Sequence, residues 1–337
     1  MSKINLKIIG VIVLAAIVVI TIALLQNPIL KNDKSEPIVI TVHAWPGYAD
    51  IFIAQEKGFF EKNNVKVKIM FTPGIFESHE LYLNGDADAI FQPYSDSILD
   101  NSLGAHSKVV YVMDISTTGD VIVGLGNSLS DLKGKTVGIV DIDGFSHIFV
   151  LSALKNSNLT EHDVKFKIVP GEHVLDELQS GQIAAGHTWE PTRSQAIESG
   201  YHILTTAAQT PGSIIDVLVF NSEMIQKRPD DVKAILKSIS EATEYRMSHL
   251  DESIPIMARG ENMTNDEMKS GLDGLHMMNL QDNYHIFTSS DSESLYGLGE
   301  SISEFYINIG QLSELQDFNE ILDPEFVEQM AKEKGVQ

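Results

Sequence analysis

The 337-residue chain holds only two tryptophans, and each sits in a turn-like run, Ala44-Trp45-Pro46-Gly47-Tyr48 and Trp189-Glu190-Pro191. A tryptophan exposed on a loop is costly unless something covers it, so each is expected against a ligand or in packing between elements. Two further runs have similar chemistry: Gln92-Pro93-Tyr94-Ser95 and Asp141-Ile142-Asp143-Gly144-Phe145-Ser146-His147. Together these runs supply aromatics, carboxylates, amides and a helix start. They contain no Lys or Arg; His43 and His147 are nearby, and Arg193 is the nearest permanent cation. Carboxylates beside aromatic faces suit a cationic or amine-bearing ligand, through charged hydrogen bonds and cation–π contacts.

Covalent chemistry finds less support. With no cysteine there is no disulfide, thiolate metal site or cysteine nucleophile. Gly134-Lys135-Thr136 resembles the end of a phosphate-binding loop, but the earlier glycine is replaced by Leu129 and a strand-like run follows. His79-Glu80 lacks the second histidine of a zinc-protease helix, and no G-x-S-x-G elbow occurs. His276-Met277-Met278 reads as a packing face. A binding protein is expected rather than an enzyme, with no cofactor and no metal.

Strand and helix patterns alternate along the region that carries these runs. Ile38–His43, Val65–Phe71, Ala87–Phe91, Lys108–Met113 and Val121–Leu125 read as strands. Between them, Asp50–Glu61 reads as one helix with Asp50 as its N-cap, followed by helices Glu77–Leu83 and Tyr94–Leu103. A second, similar series runs from Thr136–Val140 through helix Phe145–Lys155, strand Val164–Val169, helix His173–Ser180, strand Ala184–Thr188, helix Arg193–Ser199 and strand His202–Leu204. Strand Ile214–Phe220 follows, and the remainder is mostly helical. This alternation implies an α/β fold with mainly parallel sheets. Ligands of such sheets sit beyond the carboxyl ends of the strands, where all four runs fall.

At the N-terminus, Lys3 and Lys7 precede the apolar run Ile8–Leu25, which is about 27 Å long as a helix, close to a bilayer's hydrocarbon thickness. The flanking lysines place the rest of the chain outside the cytoplasm. The run is long for a cleaved signal and lacks a small-x-small cut site, so an uncleaved anchor is favoured over a removed signal. Residues 26–37 read as a polar tether. The net charge of −23 argues against nucleic acid and anionic lipid headgroups as partners.

Several segments taken in order carry a resemblance: His43-Ala-Trp-Pro-Gly-Tyr-Ala, Ile53-Ala-Gln-Glu-Lys-Gly-Phe-Phe-Glu-Lys, Leu83-Asn-Gly-Asp-Ala-Asp-Ala, Asp131-Leu-Lys-Gly-Lys-Thr-Val-Gly and Trp189-Glu-Pro. The series resembles the ABC-transporter periplasmic solute-binding proteins for nitrate, sulfonate, taurine and the thiamine pyrimidine precursor. The resemblance covers most of residues 38–220, and Phe305-Tyr-Ile-Asn-Ile-Gly-Gln-Leu matches more loosely. It implies a two-lobed, type II periplasmic-binding-protein-like fold after the N-terminal hydrophobic helix. The expected division is 1–37 as anchor or signal and tether, 38–126 as the first part of lobe one, 127–212 as lobe two, and 213–337 as the return to lobe one with C-terminal helices.

By the same resemblance, a monomer clamps a small solute between its lobes and presents it to a permease and ATPase. Trp45 and Tyr48 form one wall, with Gln92, Tyr94 and Ser95 opposite. Gly144, Ser146 and His147 lie at a helix end in lobe two, Trp189 and Glu190 complete the cleft, and Asp216 lies near the return crossover. Sulfonate and nitrate binders are expected to use a helix N-terminus or a cation. Asp141 and Asp143 flank that seat here, which favours an amine such as an aminopyrimidine, and both ligand classes stay open. Two other functions remain: a membrane-tethered sensing subunit, and synthesis of the thiamine pyrimidine, whose enzymes carry a cysteine-rich motif that this chain lacks.

Overall fold

The computed structural model describes residues 36–336. The expected hydrophobic helix and nearly all of the tether lie outside the described residues. None of the described helices is long and apolar enough to cross a membrane.

The strands are β1 (Ile38–Val42), β2 (Val67–Phe71), β3 (Ala89–Pro93), β4 (Ser107–Ser116), β5 (Val121–Gly124), β6 (Thr136–Ile139), β7 (Lys165–Ile168), β8 (Ala185–Thr188), β9 (His202–Thr206), β10 (Ile215–Asn221) and β11 (Leu275–Met277). They form two sheets, ordered β11-β4-β10-β3-β1-β2 and β7-β6-β8-β5-β9. The sheets share one plan. In the first, β1 pairs in parallel with β2 and β3, and in the second β6 pairs in parallel with β7 and β8. Each then takes one antiparallel strand, β10 between β3 and β4, and β5 between β8 and β9. The central β1 (IVITV) is buried almost throughout, as expected of a parallel strand covered on both faces.

The place of β5 corrects one expected boundary. Val121–Gly124 was placed in the first lobe, 38–126, but it belongs to the second sheet. The chain crosses at residues 117–120, where the Thr117, Thr118 and Gly119 amides all donate to the Gly274 carbonyl. All four residues of β5 are buried, so its apolar pattern alone does not say which sheet it joins.

Two further expectations change. The helix over 50–61 is two helices, Asp50–Glu56 and Phe59–Lys62, separated by Gly58 at φ +72. Left-handed backbone there ends the first helix, and glycine adopts it without a Cβ clash. Asp50 is also not an N-cap. It lies inside the first helix, fully buried, where it accepts from Arg246 Nε at 2.8 Å and Thr243 Oγ1 at 2.7 Å. Both partners lie on helix Pro229–Ser248, which packs across this one. The C-terminal region is helical as expected, apart from the short edge strand β11.

One large core cluster contains residues of both sheets, including Ile40 and Phe91 from the first and Val137 and Ile139 from the second. A smaller cluster around Val123, Val174 and Ile183 belongs to the second sheet alone.

Candidate functional site

The aromatic residues meet where the carboxyl ends of the parallel strands of the two sheets face each other. The turn after β1 carries Trp45 and Tyr48, and the end of β8 carries Trp189. Trp45 and Trp189 pack edge to face with centroids 6.3 Å apart. The Trp189 indole donates to the Ala44 carbonyl at 3.2 Å, which joins the two halves directly. Phe145 packs on Trp189 at 5.9 Å, and Tyr48 stacks on Phe91 at 5.1 Å. A small space at this junction is lined by His43, Trp45, Tyr48, Ile75, Pro93, Asp120, Phe145, Trp189, Ile214 and Asp216. It holds about 10 Å³, roughly one water-sized sphere. A solute enters only if the walls part.

Three carboxylates gather here. Tyr48 Oη donates to Asp216, and the Trp45 indole donates to Asp114 Oδ2 at 3.1 Å. Asp120 Oδ1 meets His187 Nε2 at 2.9 Å, and His187 Nδ1 meets Ser146 Oγ at 2.8 Å. The Val140 amide donates to the same Ser146 oxygen, so this relay fixes the orientation of Asp120. Asp114 Oδ1 and Asp120 Oδ2 have no hydrogen-bond partner although both are buried. Burial pushes the Asp216 carboxyl up to about 8; the Tyr48 bond opposes this and the Asp120 charge adds to it. Burial also raises Asp114 well above the carboxylate range, with Asp216 contributing. Such orphaned, desolvated acceptors favour a ligand that brings N–H groups or positive charge.

His43 at the site carries no charge to attract an anion. Burial lowers His43 to about 3, with the charge of His79 adding, so its ring is neutral. No Lys or Arg lines the space.

The structure thus brings Trp45, Tyr48, Trp189 and Asp216 around one space, and it places other expected site residues elsewhere. Gln92 is turned under helix Tyr94–Ser102, donating to Ser97 and Asp100. Tyr94 is buried within the first half, with its hydroxyl on the Leu295 carbonyl. Ser95 is buried beside Asp96. The expected wall from Tyr94 and Ser95 is therefore absent, because both side chains pack into their own half. Gly144 caps helix Phe145–Asn156, and Ser146 acts at one remove through His187. His147 packs on Phe166 and pairs with Asp143, away from the tryptophans. Glu190 accepts from Ser194 and, across the junction, from Ser270 on helix Asn265–Asp273. With His43, Glu172 and Trp189 it lines an adjoining space of about 30 Å³.

Sequence reasoning missed Asp114, Asp120 and His187; Phe145 lay within one of the four runs but was not singled out there. Asp114 directly follows the run Lys108–Met113 that was read as a strand, so applying the strand-end rule to that fourth strand as well would have reached it. His187 and Asp120 gave no local signal.

A larger groove of about 650 Å³ lies beside edge strand β11, with Met278, His285 and Leu298 in its wall. It has no orphaned buried carboxylate. Among the described residues no group of three or more His, Cys, Asp or Glu is arranged to hold a metal ion.

Two α/β sheets, each with its parallel strands in the same order and an antiparallel strand beside them, with aromatics at the junction, define the periplasmic-binding-protein fold. The ligand-binding component of an ABC-type import system from Staphylococcus aureus, solved with zinc bound, superposes with a TM-score of 0.74 at 14% identity, over 88% of this chain and 99% of that one. The nitrate-binding protein of Synechocystis gives 0.72 at 13% identity, over 89% of each chain. The aliphatic sulphonate-binding protein of Escherichia coli gives 0.66 at 18% identity, over 87% of this chain and all of that one.

The chain belongs to the NMT1/THI5-like family, whose model matches residues 45–253. A protein of Brucella abortus named as a candidate binding protein is 25% identical over 214 residues, which is 61% of this chain and 66% of that protein. A 4-amino-5-hydroxymethyl-2-methylpyrimidine phosphate synthase of Uromyces fabae is 29% identical over 161 residues, 47% of this chain and 46% of that one.

Proposed function

We propose that the chain is an extracytoplasmic solute-binding protein of the nitrate, sulfonate, taurine and thiamine-pyrimidine class, which captures a small solute between its two halves and delivers it to an ABC-type import permease. Within that class, the solute is an amine-bearing or cationic heteroaromatic. The observation that carries this reading is the orphaned carboxyl oxygen of Asp120 among the Trp45, Tyr48, Phe145 and Trp189 rings, around a space without Lys or Arg, with the orphaned Asp114 oxygen behind Trp45. A flat aminopyrimidine offers faces for the rings and N–H donors for the carboxylates. The apolar run at the N-terminus supports an anchor that keeps the protein near its permease.

The synthase names among the relatives keep an enzyme reading in view. The absence of cysteine weighs against it, because the enzymes resembled carry a cysteine-rich motif. A tethered sensing subunit would use the same site, and the neighbouring genes separate it from an importer.

A thermal-shift screen tests the proposal, with aminopyrimidines, betaines, sulfonates, nitrate and bicarbonate as probes. A true ligand at a hundred times its Kd adds about 2.7 kcal/mol of stability. Aminopyrimidines or other cationic heteroaromatics are expected to raise Tm, and Trp45→Ala or Trp189→Ala to abolish the shift. A shift with anions alone overturns the amine reading, and unchanged binding in both tryptophan variants overturns the site.

A further inference from the structure

Helix Phe145–Asn156 begins in the wall of the site, since Phe145 is both its first residue and part of the lining. Free amides at a helix start make a ready seat for an anion. Here the seat is filled from within the chain. The Phe145 amide donates to Asp96 Oδ1 at 3.1 Å, and Asp96 comes from the other half, on helix Tyr94–Ser102. Asp141 also sits at this helix start, beside the Gly144 and His147 amides, with its Oδ1 buried and without a hydrogen-bond partner. Its carboxyl lies so close over Gly144 that a Cβ there would fall 2.4 Å from it.

We propose that Asp96 is a specificity-determining residue: its carboxyl occupies the helix-start seat at the edge of the cleft and bars anionic solutes from it. The inference rests on the amine-binding reading above and adds the means by which anions are refused. An incoming sulfonate or nitrate would have to displace a tethered acceptor from Phe145. It would also meet Asp141 immediately behind. Burial raises Asp96, and the neighbouring Asp141 charge adds to this while His79 opposes it. Burial likewise raises Asp141 to about 6, with His187 opposing. Neither state opens the seat, because a protonated carboxyl still presents an acceptor oxygen to the Phe145 amide.

Calorimetric titration of the full-length protein with ethanesulfonate, nitrate and 4-amino-5-hydroxymethyl-2-methylpyrimidine tests this. Wild type is expected to give no heat of binding with either anion. Asp96→Ala empties the seat and is expected to gain at least about tenfold in affinity for an anion, a change of about 1.4 kcal/mol. Asp96→Asn keeps an acceptor oxygen in place and is expected to stay blind to anions. Should Asp96→Ala fail to fold by circular dichroism, Asp96→Ser replaces it; where Asp96→Ala folds, the double variant Asp96→Ala/Asp141→Ala is expected to gain more than the single one. A folded Asp96→Ala or Asp96→Ser protein that remains blind to anions overturns the proposal, as does a wild type that binds them. Failure of the pyrimidine to bind wild type counts against the amine-binding reading alone, since anion gain in the variants is scored separately.

Discussion

Asp216 shows what a single buried carboxyl does to this protein. It is 2% exposed, receives the Tyr48 hydroxyl and faces Asp120. Its ordinary value of 3.8 rises to about 8 in the fold. A carboxyl raised in this way holds its proton more tightly when folded than when unfolded. Its contribution to stability is complete below about pH 4 and is lost as pH rises through about 8. Stability is therefore expected to fall between those limits, and Asp216→Asn, which cannot ionise, to flatten the fall. Melting curves at about pH 5 and pH 9 measure this; parallel losses in the two proteins would sink the assignment. The same residue shows what was legible at this scale. Trp45, Tyr48 and Trp189 were reachable because ligand sites follow strand ends, and the strands were readable from their apolar runs; Asp216, at the start of β10, came only through the family resemblance. Tyr94 and Ser95 satisfied the same rule and yet turn inward, because the rule locates a backbone and says nothing of a rotamer. Asp120 and His187 lie 67 residues apart and are joined by one hydrogen bond that only the fold creates.

Among the elements, helix Asp50–Glu56 carries the sharpest energetic expectation. Asp50 is buried against Arg246, which is itself 8% exposed, and Thr243 takes its second oxygen. Removing one member of a buried pair leaves the other charge without a partner. Asp50→Ala is expected to cost about 3–5 kcal/mol, read as a lower urea midpoint with an unchanged slope. A loss under about 1 kcal/mol would mean that water reaches Arg246 in the native state. Gly58 offers a smaller test of the helix break. Its φ of +72 penalises any Cβ, and Gly58→Ala is expected to cost about 1 kcal/mol, although the nearest atom to that Cβ is a Glu61 oxygen at 3.7 Å. Apolar content alone made one helix of 50–61, since Ile51, Ile53, Ala54 and Phe59 fall along it without a proline to interrupt them. Asp50 also looked like a cap, because aspartate before an apolar run usually is one. What the local pattern could not contain was Arg246, almost two hundred residues away on another helix. Element types were thus legible from periodicity, whereas the sheet that β5 joins depended on a crossover that apolar pattern does not encode.

At the scale of the whole molecule, the question is whether the two sheets unfold as one body. Residues 37–337 form a single compact unit, and the main core cluster runs through both sheets. The first sheet is also built from two stretches of chain, 38–116 and 215–277, with the whole second sheet, 121–206, inserted between them, so two crossovers tie the halves together. Direct bonds cross the junction as well, from Trp189 to Ala44, from Phe145 to Asp96 and from Ser270 to Glu190. Only the small cluster around Val123 and Val174 belongs to the second sheet alone, and it is too small to hold that sheet by itself. Heating residues 36–337 in a calorimeter is therefore expected to give one transition, with calorimetric and van't Hoff enthalpies equal. Two resolved transitions would show that the halves are separate folding units joined mainly by their crossovers. Hinge opening for solute entry fits the first outcome, because a junction sealed to about 10 Å³ can part at the tryptophans while both sheets stay paired. A saturating ligand is then expected to raise the single transition without splitting it. A ligand that bridged both walls of a two-transition protein would instead raise both transitions by unequal amounts.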